Sequence, residues 1–280
     1  MRHQFWKVTP GGNPTILLKA EDIPSEQRAS VANAVMSSQH IGGEQVGYVR
    51  LEGTPRLDMM GGEFCLNATR AFASVLDELG LLERNGAICS GLVEVSGVSE
   101  KVAVRVTHTE NSLPFAEACL HFDELPAPEH ISDGLCLVRV PGITHIIQQG
   151  LMPSPADREA FCRNQRHFLS LEQEGAVGHL WLSEDREVGE EASGLKLSPV
   201  VWVRDTASLC FESACGSGTL ACALAEHART GAEAFSILQP SGMALAVRIG
   251  HSDSGFDVWV GGPSRITACG ETDLAGILRN

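Results

Sequence analysis

Two cysteines in matching surroundings are the residues of this sequence with the most specific chemistry. The segments read Cys65-Leu66-Asn67-Ala68-Thr69-Arg70-Ala71-Phe72-Ala73 and Cys215-Gly216-Ser217-Gly218-Thr219-Leu220-Ala221-Cys222-Ala223, so Cys, Thr, Ala and Ala recur at the same offsets. Apolar residues then follow at helical spacing without proline, which predicts helices over 66–82 and 216–230 that begin at the cysteines. Gly80 and Gly231 are suited to end them.

A cysteine at a helix start can take part in proton transfer. The free N–H groups and positive end of the helix dipole favour an adjacent thiolate and also bind a carboxylate. Two such thiols can act as base and acid on opposite faces of an α-carbon. We therefore predict that Cys65 and Cys215 exchange the α-proton of an amino acid, whose carboxylate is bound by Leu66, Asn67, Gly216, Ser217 and Gly218.

The other seven cysteines are expected to pack as small apolar residues. They are Cys89, Cys119, Cys136, Cys162, Cys210, Cys222 and Cys269. The total of nine is odd and includes no Cys-x-x-Cys pair, so we expect free thiols and no metal site.

The chain repeats once. Ser96-Gly97 and Ser241-Gly242 precede similar segments and lie about half the chain apart, as the two cysteines do. This predicts an α/β protein of two domains, with 1–132 and 266–280 forming the first and 133–265 the second. Gly261-Gly262-Pro263 is predicted to be a turn that leads back to the first domain. Strands are predicted at 15–18, 92–95, 102–107, 137–140, 200–203 and 258–260.

Composition excludes several classes of partner. The chain has 280 residues, 43% of them apolar, and a formal net charge of −14. This charge argues against binding to nucleic acid or to an anionic membrane. The N-terminus has no signal-peptide pattern and no 18-residue apolar run occurs, so a cytoplasmic enzyme with a small-molecule substrate is expected, with a homodimer as an open possibility.

The two cysteine motifs resemble those of the diaminopimelate epimerase superfamily. The likeness lies in Gly61-Gly62-Glu63-Phe64-Cys65-Leu66-Asn67 and, more specifically, in Ser213-Ala214-Cys215-Gly216-Ser217-Gly218-Thr219. It implies two pseudo-symmetric domains, each a mixed sheet around a central helix, with a cofactor-independent site in the cleft between them. It also implies substrate contacts at Asn13, which follows Gly12, and at Gln45. Pro141-Gly142-Ile143-Thr144-His145 resembles a further motif, by which His145 assists a cysteine.

Departures from the superfamily pattern bear on the substrate. The segment Arg204-Asp205-Thr206-Ala207-Ser208-Leu209-Cys210-Phe211-Glu212-Ser213 lacks the Glu-Arg pair that grips the distal head of diaminopimelate, and Ile143 replaces an asparagine. A one-headed amino acid is therefore expected. The forms around both cysteines look most like histidine racemases, which can supply D-histidine for metallophores. Glu212 then orients a thiol or binds the substrate amine.

Leu66 stands where the superfamily has glycine, and its Cβ is expected to obstruct the carboxylate or to strain the backbone. Three alternatives stay open. The chain could be a diaminopimelate epimerase, an amino-acid-binding protein that has lost catalysis, or a cysteine hydrolase that uses Cys215 with His145.

Overall fold

The strands and helices of the chain divide into two structural units. The computed structural model describes residues 2–21, 23–184, 194–204 and 207–278, so Asp205 and Thr206 of the segment before Cys215 lie outside the described residues. Unit 1 comprises Met1–Leu120 and Gly261–Asn280, and unit 2 comprises His121–Val260. The predicted boundaries lie later in the chain than these.

Unit 1 consists of strands arranged around one long helix. Its elements are β1 (Arg2–Thr9), β2 (Thr15–Lys19), α1 (Arg28–Met36), β3 (Gln45–Arg50), β4 (Arg56–Met59), α2 (Leu66–Glu78), β5 (Glu83–Asn85), β6 (Ile88–Val95), β7 (Val102–Thr107), β8 (Phe115–Phe122) and β18 (Arg265–Asp273). The helix α2 packs against β1, β2, β3, β4, β7 and β18. Every residue from Leu66 to Leu76 is consequently buried.

Unit 2 has a similar set of elements. They are β9 (Glu129–Ser132), β10 (Leu135–Val140), β11 (Ile143–Gln149), α3 (Arg158–Phe168), β12 (Ala176–Glu184), β13 (Leu195–Val203), β14 (Ser208–Phe211), α4 (Gly216–Thr230), β15 (Ala234–Leu238), β16 (Ala244–Ser252) and β17 (Gly255–Pro263). The helix α4 packs against β10, β11, β12, β15 and β16. The chain passes between the units within β8 and β17.

Strand pairing follows the same order in both units. In unit 1, β1–β2 is antiparallel, β2–β3 parallel, β3–β4 antiparallel, β4–β6 parallel and β6–β7 antiparallel. In unit 2, the pairs β10–β11, β11–β12, β12–β13, β13–β15 and β15–β16 have the same alternation. In the chain, α2 comes between β4 and β6, and α4 comes between β13 and β15, which are the second parallel pairs of the two units. The predicted repeat and the mixed α/β fold are therefore confirmed.

The continuous apolar run of β2 reflects cover on both of its faces. Ile16 and Leu18 belong to a core cluster with Val31, Ala32 and Val35 of α1. The helix α2 also packs against β2. A strand covered on both faces has no reason to alternate, which accounts for the four consecutive buried residues from Thr15 to Leu18.

The end of α2 is set by a glycine. The helix stops at Glu78, earlier than the predicted residue 82, because Gly80 has φ +67°. The N–H of Gly80 donates to the Asp77 carbonyl and that of Leu81 donates to the Leu76 carbonyl, the pair of bonds that closes a helix around a left-handed residue. Gly231 caps α4 with φ +74°.

Two further sequence expectations need correction. Gly261-Gly262-Pro263 lies within β17 and forms no turn. All nine cysteines are free thiols, as expected, but Cys210 and Cys269 are exposed, so these two do not pack in a core. In the described part of the chain, no helix has the length and apolar character needed to span a membrane.

Candidate active site

Cys65 is the N-cap residue of α2. Its backbone is extended, with φ −133° and ψ 110°, and its Sγ accepts a hydrogen bond from the N–H of Ala68 at 3.4 Å. The Thr69 hydroxyl donates to the Cys65 carbonyl at 2.8 Å. The sulfur therefore lies at the positive end of the helix, where free N–H groups are available to an anion.

Cys215 has the same place on α4. Its backbone angles are φ −128° and ψ 106°, and its Sγ accepts from the N–H of Gly218 at 3.3 Å. The Thr219 hydroxyl donates to the Cys215 carbonyl, as Thr69 does in unit 1. A Cβ at Gly218 would lie 3.1 Å from this Sγ and 3.0 Å from Cδ2 of Leu180, so glycine allows the close approach.

A chain of polar groups leads away from Cys65 across two strands. The thiol donates to Oε1 of Gln45 at 3.3 Å, and Nε2 of Gln45 donates to the Thr15 hydroxyl at 2.6 Å. The Thr15 hydroxyl donates to the Asn13 carbonyl at 3.2 Å. Thr15 and Gln45 are direct partners in the parallel pair β2–β3. Asn13 and Gln45, both predicted as substrate contacts, thus belong to one network with Cys65.

Leu66 does not strain the helix start. It is the first residue of α2, is absent from the residues with positive φ, and its side chain is only 2% exposed. The expected backbone strain is therefore absent, and the leucine side chain packs into the core of unit 1. Asn67 is also buried, and its Oδ1 accepts from Arg70.

The environment of Cys215 opposes the predicted acidification of this thiol. Burial raises the pKa of Cys215 well above its ordinary value. The negative charge of Glu212, with a hydrogen bond between the two side chains, raises it further, while Ser217 and the Gly218 N–H act in the opposite direction. The expectation of a lowered pKa is thus wrong for Cys215 because burial outweighs the helix start. Glu212 does lie against the thiol, and the Ser217 hydroxyl is 3.6 Å from Sγ.

His145 is fully buried on the sheet of unit 2. It pairs with Gly178, where an added Cβ would lie 2.1 Å from Nδ1 of the imidazole. The register places His145 on the same face of the sheet as Leu180, which contacts the start of α4. Neither ring nitrogen has a hydrogen-bond partner among the described residues. Burial lowers the pKa of His145 to about 3, so its imidazole is neutral at ordinary pH.

Several residues that support the cysteines were not predicted. Gln239 is 1% exposed; its Oε1 accepts from the Cys215 N–H at 3.1 Å and its Nε2 donates to the Thr219 hydroxyl at 3.1 Å. The repeated Ser-Gly pairs hold the two cysteine loops. The Ser96 hydroxyl donates to the Glu63 carbonyl at 2.7 Å, and the Ser241 N–H donates to the Ser213 carbonyl at 2.9 Å. Each acceptor lies two residues before a cysteine, so the recurrence of Ser-Gly in the sequence was the signal.

One group of potential metal ligands lies in unit 1, although none was expected from the sequence. Atoms of Asp77, Cys89 and His108 lie within 4.8 Å of one another. Oδ2 of Asp77 is already bonded to Nε2 of His108 at 2.8 Å, and Arg84 is 4.0 Å from the same carboxylate. The direct bond and the nearby positive charge account for this arrangement as a polar cluster.

Comparisons with known proteins identify the family of the chain. Residues 2–272 match the family described as histidine racemase CntK N-terminal domain. The histidine racemase of Fusobacterium nucleatum is 29% identical over 271 residues, and that of Staphylococcus aureus is 27% identical over 282 residues. These alignments cover 95% of both chains for the first relative and 96% of both for the second.

Solved structures share the fold at low sequence identity. A hydroxyproline epimerase of Agrobacterium vitis with bound trans-4-hydroxy-L-proline has a TM-score of 0.63 at 12% identity, covering 97% of this chain and 91% of that chain. A PhzF-family phenazine biosynthesis protein of Enterococcus faecalis has a TM-score of 0.62 at 14% identity, covering 98% and 100%.

The family match, the histidine racemase relatives and the shared fold place the chain among the PLP-independent racemases and epimerases, and the chain is an isomerase, an amino-acid racemase. Because the family match extends over almost the whole sequence, the chain belongs to the histidine racemase CntK N-terminal domain family.

Proposed function

We propose that this chain interconverts L- and D-histidine with Cys65 and Cys215 as the two proton-transfer groups. The observation that carries the proposal is the repeated geometry of the two sulfurs. Each caps the central helix of its unit with nearly the same backbone angles and accepts from the N–H three residues later. The histidine racemases that match along nearly the full chain support histidine as the substrate.

The reaction needs one thiolate and one thiol. The thiolate takes the proton from Cα, so that a Cα–H bond breaks and an S–H bond forms. The other thiol gives its proton to the opposite face of Cα and becomes the thiolate. The reverse direction exchanges the two roles, and the numbers of protons and charges balance in both directions.

The intermediate carries negative charge that extends into the substrate carboxylate. N–H groups at the starts of α2 and α4 are suited to stabilise this charge, since they point out of the helix ends and need no reorganisation. This electrostatic role makes an imine-forming cofactor unnecessary in the proposed mechanism. We further propose that the D-histidine product serves metallophore biosynthesis.

The side chains of unit 2 have complementary roles in this proposal. Glu212 favours the protonated thiol of Cys215. Cys215 is therefore the proton donor when the cycle starts. His145 assists a cysteine as a neutral imidazole, because the cost of burying the imidazolium cation keeps the ring unprotonated.

Incubation with L-histidine in D2O under reducing conditions tests the proposal. We expect deuterium at Cα by NMR and appearance of the D-enantiomer by chiral chromatography. In Cys65→Ser and in Cys215→Ser, the rate of racemisation should fall at least about a hundredfold. Cys269→Ser and Cys210→Ser, which change an exposed thiol in each unit, serve as matched controls and should keep full exchange.

Other substrates are tested in parallel. Faster exchange of meso-diaminopimelate than of histidine would reject histidine as the substrate. Undiminished racemisation in both Cys65→Ser and Cys215→Ser would reject the two-thiol mechanism, and thermal stabilisation by histidine without exchange would indicate a binding protein.

A further inference from the structure

Arg70 is a charged side chain in the centre of unit 1. It lies on α2, just over one turn after Cys65, and has 0% exposure. Among the fully buried side chains it is one of the largest. Burial of a guanidinium costs free energy unless hydrogen bonds and opposite charge compensate for the lost water. The groups around Arg70 therefore indicate what its charge does.

The hydrogen bonds of Arg70 involve neutral acceptors. Nε donates to the Ala116 carbonyl at 3.0 Å, and Nη1 donates to Oδ1 of Asn67 at 3.4 Å. Nη2 is buried and has no hydrogen-bond partner among the described residues. These bonds hold the guanidinium and the Asn67 side chain in place, but they supply no negative charge.

Two groups act on the charge of Arg70. Burial lowers the pKa of Arg70 to about 10, while attraction to Cys65 and to Glu117 opposes this effect. Glu117 is engaged elsewhere, since its Oε2 accepts from Nε of Arg105 at 2.8 Å. Charge attraction is reciprocal. The attraction that stabilises the Arg70 guanidinium cation therefore also stabilises the Cys65 thiolate.

We propose that Arg70 is a positioning residue for Cys65: its buried guanidinium provides the positive charge that stabilises the Cys65 thiolate, and its hydrogen bond holds the Asn67 side chain near the start of the same helix. The inference rests on the proposed function, in which Cys65 alternates between thiol and thiolate. The proton that leaves Cys65 goes to solvent when the thiolate forms in the free enzyme. No contact between Arg70 and substrate is needed, because the side chain is fully buried.

Each cysteine therefore has a charged group acting on it, and the two charges have opposite sign. A cation on α2 acts on Cys65, while the Glu212 carboxylate acts on Cys215. The first arrangement favours a thiolate and the second favours a thiol. These two charges thus distinguish the helix starts of α2 and α4 before substrate binds.

The pH dependence of alkylation measures this coupling directly. Iodoacetamide reacts with thiolates, and peptide mass spectrometry separates Cys65 from the other eight cysteines. In Arg70→Met the pH midpoint for Cys65 should rise by about one pH unit or more, and in Arg70→Lys it should rise less, since the charge is kept. The midpoint for Cys215 in unit 2 should not move.

A second variant tests the sign. Glu117→Gln removes a negative charge that offsets Arg70, so the Cys65 midpoint should fall. This variant and Arg70→Lys decide the question if Arg70→Met does not fold. An unchanged Cys65 midpoint in the Arg70 variants, or a rise in Glu117→Gln, would overturn the proposal.

The outcome is independent of turnover. A chain that shows these shifts without exchanging histidine would refute the proposed function and leave the role of Arg70 intact. A chain that racemises histidine without these shifts would support the proposed function and refute the role of Arg70.

Discussion

At the scale of single residues, a sulfur atom occupies the position that an oxygen usually has at a helix start. Ser, Thr, Asp and Asn are the preferred N-caps because their oxygens accept hydrogen bonds well, whereas a thiol is a weak acceptor. Cys65 and Cys215 cap α2 and α4 nonetheless. Reactivity therefore explains these cysteines better than helix stability does. A thiolate would accept the same N–H bond more strongly, which couples ionisation to capping.

Glu212→Gln tests what holds the proton on Cys215. The carboxylate raises the pKa of this thiol, so its removal should lower the pH midpoint of Cys215 alkylation. Burial remains as the larger cause, and the midpoint should stay above that of an ordinary thiol. The exposed Cys210 in the same variant is the internal control. A Cys215 midpoint that rises or stays constant would contradict the assigned role of Glu212.

At the scale of elements, the turns after β6 and β15 offer a matched pair of glycines. Gly97 and Gly242 both have φ +80°. A Cβ at Gly97 would lie 2.2 Å from the backbone nitrogen of Phe64, next to Cys65, whereas one at Gly242 would meet nothing within 4 Å. The comparison thus separates steric contact from backbone strain.

Replacement of each glycine by alanine should have different effects. Gly242→Ala should lower the free energy of unfolding by about 1 kcal/mol through the left-handed backbone alone. Gly97→Ala should lose roughly 2 kcal/mol more, because the loop before Cys65 must shift. It should also slow Cα deuterium exchange, while Gly242→Ala leaves exchange nearly unchanged. Urea unfolding and the exchange assay measure both effects, and equal losses in the two variants would show that the contact at Phe64 is unimportant.

At the scale of the whole molecule, two buried histidines link stability to pH. His145 and His179 have 0% exposure, and burial lowers the pKa of each to about 3 from an ordinary 6.5. Below about pH 6.5 the unfolded chain therefore binds protons that the native chain does not bind. The stability that depends on the two neutral histidines should be fully present above this pH. The free energy of unfolding should fall by a few kcal/mol as the pH approaches 3.

Unfolding free energies across this pH range check the prediction. His145→Asn should flatten the pH dependence even if it lowers stability throughout, because one of the two linked groups is gone. His130→Asn, at an exposed position in unit 2, should leave the slope unchanged. An equally steep slope in His145→Asn would show that other groups cause the acid sensitivity.

The sequence alone determined the repeat, the two helix starts and the positions of six strands, namely β2, β6, β7, β10, β13 and β17. These features depend on short-range patterns: a cap residue, helical spacing, a closing glycine and runs of branched apolar residues. Cys65, Cys215, Gln45 and Glu212 were predicted as site residues by motif and by resemblance.

Only the tertiary structure decided how these residues are surrounded. Gln45 reaches Cys65 and Thr15 through the pairing of β2 with β3, and Gln239 reaches Cys215 from the end of β15. Arg70 is buried because α2 is enclosed by strands from distant parts of the chain. Burial and long-range partners control both hydrogen bonding and pKa, and local sequence patterns do not specify them. The acidity expected of Cys215 from its helix start was therefore reversed by its surroundings.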